Sequence, residues 1–103
     1  MPTFHELVDA ADALSDLLDV TWKKGDRSGE VVSNDLESAN HIINLGTDKD
    51  GAVSLLRTVA RSSWLRGVRN SALSERQAKL LAAAETALAK ALEPQATVSA
   101  EGQ

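Results

Sequence analysis

The chain has 103 residues, of which 43% are apolar, 25% charged and 3% aromatic; it has no cysteine and a formal charge of −4. A chain this short supports one hydrophobic core, so a catalytic domain beside a separate regulatory domain is excluded. The absence of cysteine excludes disulfides, thiolate nucleophiles, iron–sulfur clusters and cysteine-ligated zinc.

The first element expected is a helix from Phe4 to Val20. Phe4, Leu7, Val8, Ala11, Leu14 and Leu18 recur at three- and four-residue steps, which stacks them on one helical face. Thr3 and Glu6 fit a capping box at its start. Lys23 to Gly29 holds two glycines and no apolar residue, which reads as an exposed loop. Trp22, just before it, is expected to close the end of the core with its ring.

A second helix is expected over about Glu30 to Leu45, with Val32, Leu36, Ala39, Ile42 and Ile43 inward and Gly46 as a left-handed cap. Thr47 to Gly51 supplies capping oxygens for a third, whose inward face would be Ala52, Leu55, Leu56, Val59, Ala60 and Ser63. A break is expected near Gly67 to Ala72, where Gly67, Asn70 and Ser71 are poor helix residues. Ser74 to Gln77 is a second capping box and opens an alanine-rich helix with Leu80, Leu81, Ala84, Leu88, Ala91 and Leu92 on one stripe. Pro94 stops it. The fold class expected is all-α, a compact antiparallel bundle of about four helices over residues 1–93, followed by a disordered tail, 94–103.

Charge is segregated along the chain. Residues 1–50 carry eleven acids and four bases, a net of −7, whereas residues 51–92 carry two acids and seven bases, a net of +5. On the first helix Asp9, Asp12, Asp16 and Asp19 fall within a strip of about 80° opposite Leu7 and Leu18, at roughly 100° per residue. His5 lies on the same strip. Such a strip reads as a solvated face, as a surface for a basic partner, or as divalent-cation ligands. On the third helix Arg57, Arg61, Trp64 and Val68 share the side opposite the inward stripe. Arginines around an indole make a contact surface, since the guanidinium forms paired hydrogen bonds and the ring offers a flat desolvating area. The alternative is that the helix bends and Trp64 turns into the core.

Catalytic signatures do not assemble. Neither a G-x-S-x-G elbow nor a phosphate-binding glycine loop occurs. Asp48-x-Asp50-Gly51 fails as a calcium loop, because the first and last ligand positions would be Gly46 and Arg57. His41 is expected to face solvent on the second helix, and in this it resembles the phosphoacceptor of histidine-phosphotransfer domains, themselves small acidic helical proteins. Those domains place lysine and glycine at the third and fourth positions after the histidine, where this chain has Asn44 and Leu45. The resemblance implies a phosphoryl carrier acting through His41.

These readings lead to an expected non-catalytic module that binds and regulates or inhibits a protein partner through Asp9, Asp12, Asp16 and Asp19, through Arg57, Arg61, Trp64 and Val68, or both. Its size and charge are those of small accessory proteins of phages and other mobile elements, an analogy of composition alone. Nucleic-acid binding by the basic segment 57–79 is the alternative, opposed by a pI of about 5.0. No catalytic residue, metal or cofactor is expected. A homodimer pairing the first helix with the Arg57–Arg61 surface of its mate is a further expectation. No stretch reaches the roughly 18–20 apolar residues of a membrane span and the start lacks a basic leader, so a cytoplasmic location is expected.

Overall fold

The computed structural model of the chain describes residues 2–92, which form five helices: α1 (Phe4–Thr21), α2 (Arg27–Leu45), α3 (Lys49–Ala60), α4 (Ser63–Arg69) and α5 (Glu75–Leu92). The protein is all-α, with no strand among the described residues. The expected tail, 94–103, lies outside them.

α1 is the central element. Leu7, Ala10, Ala11, Leu14, Leu17 and Leu18 are all buried, a stripe wide enough to meet α5 on one side and α2 on the other. The capping box at Thr3 is formed in both directions: the Glu6 amide donates to the Thr3 hydroxyl at 3.1 Å and the Thr3 amide donates to the Glu6 carboxylate at 2.9 Å. α5 runs antiparallel to α1, since the Gln77 side chain near its start donates from Nε2 to the carbonyl of Val20 at 2.8 Å. Its own box is also complete, with the Gln77 amide N–H donating to Ser74 Oγ at 3.1 Å and the Ser74 N–H to the Gln77 side chain at 3.0 Å.

α2 starts at Arg27, inside the segment expected to be a loop. Asp26 makes this possible by accepting from both the amide and the hydroxyl of Ser28. Gly29 is needed one position further on, because a Cβ there would fall into the Trp22 ring. Trp22 therefore does not close the core. It is 38% exposed, lies over Gly29, and donates its indole N–H to the Asp26 carbonyl at 2.9 Å, bracing the α1–α2 corner. Gly46 ends α2 at φ 69°, the left-handed cap expected of it. Asp48 then caps α3, accepting from the Gly51 amide at 3.1 Å.

The segment expected as one helix up to Gly67 is two. α3 ends at Ala60 and α4 restarts at Ser63, because Ser62 leaves the helical conformation and accepts from the Leu65 amide at 3.2 Å. The expected count of about four helices is thus corrected to five. The inward face of α3 is Ala52, Val53, Leu56 and Val59, with Leu55 and Ala60 half-buried and Ser63 exposed on α4. α4 is tied to α5 by a two-pronged Arg69–Glu85 ion pair, both contacts at 2.7 Å. That pairing holds the Glu85 carboxyl below its ordinary range, chiefly through the guanidinium hydrogen bonds.

Candidate functional site

The four aspartates of α1 are all exposed. They stand on one uninterrupted helix, so the expected strip is a continuous surface, with His5 at its start and its Nε2 3.6 Å from the Asp9 carboxylate. Asp12, Asp16 and Asp19 make no ion pair among the described residues, although seven bases lie in residues 51–92. Adjacent like charges three or four residues apart on a helix repel by roughly 0.2–0.5 kcal/mol per pair. Asp9–Asp12, Asp12–Asp16 and Asp16–Asp19 are three such pairs. Asp19 also lies near the C-terminus of α1, where the helix dipole disfavours negative charge, and the last turn holds no base to offset it. The strip is therefore a feature that local helix stability does not explain.

Part of the basic half has a local explanation. Arg57 lies in the last turn of α3 and Arg66 and Arg69 in the last turn of α4, where cations complement the dipole. Arg69 is also committed to Glu85.

The expected Arg–Trp face is not assembled. Trp64 is 4% exposed and Val68 is buried, and both lie on α4, whereas Arg57 is half-buried on α3 and Arg61 is exposed at the α3–α4 break. The Trp64 indole N–H donates to Thr21 Oγ1 at 3.0 Å, and that hydroxyl donates in turn to the Leu17 carbonyl at 2.8 Å. The indole is thus an internal strut from α4 to the end of α1. The placement of Trp64 and Val68 among contact residues is corrected on this geometry. The physical reason is the two-residue break at Arg61–Ser62, which rotates everything after it relative to α3. The sequence signal for that break is the Ser62-Ser63 pair, weaker than the glycine and asparagine further on.

His41 is exposed on α2, as its position opposite Leu36 and Ile43 implies. α2 carries no basic residue after Arg27 to balance a phosphoryl group there. No group of three or more His, Asp or Glu side chains that could hold a metal ion is present among the described residues. No helix among them is long and apolar enough to cross a membrane.

The concavities are surface grooves. One of about 380 Å³ runs between α1 and α5, lined by Glu6 and Asp9 on one side and by Ala82, Ala83, Thr86, Ala87 and Lys90 on the other. Another, of about 420 Å³, holds Arg61 with Val31 and Asp35 of α2. No family model matches the chain, and no curated protein or solved structure matches it.

Proposed function

We propose that this chain is a non-catalytic protein-binding module whose contact surface is the acidic face of α1, and that it regulates or inhibits its partner by occupying a basic surface on it. One observation carries the reading. Asp12, Asp16 and Asp19 are exposed and without an ion-pair partner among the described residues, on a helix whose own stability favours neither their mutual proximity nor the position of Asp19 near its C-terminus. Locally unfavourable choices of this kind concentrate at functional surfaces. A guanidinium- or ammonium-rich partner would relieve the repulsion and gain charge-assisted hydrogen bonds. Long-range attraction from the strip would also speed the encounter. Within this reading the protein acts in the cytoplasm as a small antiparallel helical bundle.

The test is affinity capture from native lysate, with and without nuclease, comparing wild type with Asp12→Lys/Asp19→Lys and with Arg61→Glu/Arg66→Glu. The expected result is a protein captured regardless of nuclease, lost from the aspartate variant and kept by the arginine variant. Nucleic acid recovered by wild type and lost from the arginine variant would overturn the reading in favour of the basic segment.

A further inference from the structure

α5 is the helix with least of its surface covered. Ala84, Leu88 and Ala91 are its buried residues, while Ala78, Ala82, Ala83 and Ala89 face solvent with Lys79, Thr86 and Lys90. Lys79, Ala83, Thr86 and Lys90 follow one another at steps of four, three and four, so they share one strip. Ala83, Thr86 and Lys90 of that strip line the α1–α5 groove, whose opposite wall carries Glu6 and Asp9, and Lys79 extends the strip beyond the groove's end. Asp16, seven residues further along α1, continues the same edge. The groove therefore has one acidic and one basic wall, with small side chains between them. The charges do not neutralise each other across it, since no ion pair joins α1 to α5 among the described residues.

From this we infer that the occupant of the groove is the α5 of a second copy of this chain, in a two-fold symmetric dimer. The two-fold axis sets the orientation. A mate's α5 antiparallel to this α5 runs parallel to α1, because α1 and α5 of one chain are antiparallel. The mate's Lys79 then comes to the Asp9 end of α1 and the mate's Lys90 to the Asp16 end. The lysines are eleven residues apart, about 16.5 Å along the axis, and the aspartates seven, about 10.5 Å. Flexible lysine stems reaching inward from each end close that difference. Symmetry repeats both pairings, so four lysine–aspartate pairs form, and at each end Asp9 and Glu6 offset the approach of the mate's Lys79 to this chain's Lys90. Ala82 and Ala83 let the two helix backbones approach closely. Of the acids of α5, Glu85 is engaged by Arg69 at 2.7 Å, and Glu75, a loose 3.8 Å from Lys79, shares that lysine with the mate's Asp9. The arrangement replaces the expected pairing of α1 with Arg57 and Arg61, of which Arg57 is half-buried. It uses the α5-side edge of the acidic strip and leaves Asp12 and Asp19 outward, so it stands or falls separately from the partner reading.

The experiment is sedimentation equilibrium of the full chain at low and high salt, with two charge-reversal variants. Asp9→Lys/Asp16→Lys and Lys79→Glu/Lys90→Glu are each expected to be monomeric. An equimolar mixture of the two is expected to form a heterodimer, because one set of pairs is then native and the other is restored with signs exchanged. Wild type is expected to be dimeric in low salt, with association weakened at least tenfold as the screening length falls from about 10 Å at 0.1 M towards 3 Å at 1 M. Helical circular dichroism confirms that each variant is folded. Ala83→Arg, a change at an exposed position that keeps every native charge, is expected to be folded and monomeric. A wild-type chain that is monomeric at all salts, or a dimer that survives Ala83→Arg and both reversals, would overturn the inference.

Discussion

Replacing Trp64 with alanine separates a structural indole from a contact indole. The side chain is 4% exposed and its N–H is bonded to Thr21 at 3.0 Å, so truncation leaves a cavity beneath α4 and removes a hydrogen bond. Truncating a buried Trp to Ala costs about 3–5 kcal/mol. Losing the indole also leaves Thr21 Oγ1 without this donor, although the hydroxyl keeps its own bond to Leu17. Against a total stability of roughly 5–15 kcal/mol for a domain, the loss is a large fraction. At about 4–8 °C per kcal/mol for a domain near this size, the midpoint should fall by at least about 12 °C. Urea unfolding followed by circular dichroism measures the change, with the slope held common to both proteins. Arg61→Ala, at an exposed position, should stay within about 0.5 kcal/mol of wild type. A loss below about 1 kcal/mol for Trp64→Ala would refute the burial and return the indole to the surface.

Other expected outcomes bear on the elements that position the acidic helix. Gly29→Ala should destabilise the fold by about 1–3 kcal/mol through overpacking against the Trp22 ring, and a double-mutant cycle with Trp22→Ala should recover most of that loss. Glu85 has its folded carboxyl held low by Arg69, so its contribution is fully present above the unfolded value and is lost as pH falls through the folded one. Glu85→Gln should therefore cost up to about 1 kcal/mol at neutral pH, as for a partly exposed pair, and the difference from wild type should shrink on acidification in chemical unfolding curves.

Much of the fold is legible in the sequence because its signals are local. Thr3 with Glu6 and Ser74 with Gln77 each place a helix start to within a residue, and Gly46 places a helix end. Two features escape such reading for different reasons. The start of α2 at Arg27 depends on Asp26 as a cap and on a tertiary contact between Trp22 and Gly29, which no periodicity shows. The division of α3 from α4 rests on one serine cap inside an otherwise helical pattern, and it alone decides whether Trp64 joins the arginines or the core.

The candidate site divides along the same line. The acidic strip lies within one uninterrupted helix, so spacing alone placed Asp9, Asp12, Asp16 and Asp19 on an exposed face. The Arg–Trp face spanned a break, and there an angular argument from one continuous helix fails. The groove between α1 and α5 joins residues far apart in sequence, so its oppositely charged walls emerge only when the two helices are packed.

Photo-crosslinking in native lysate tests the central claim most directly, with benzoyl-phenylalanine placed at position 12 or 19 on α1 and, as the contrast, at position 61 or 66. The account predicts a nuclease-resistant crosslink to one protein of different mass from positions 12 and 19, and none to it from 61 and 66. Crosslinks to that protein from 61 and 66 alone, or none to any other protein from 12 and 19, would contradict it.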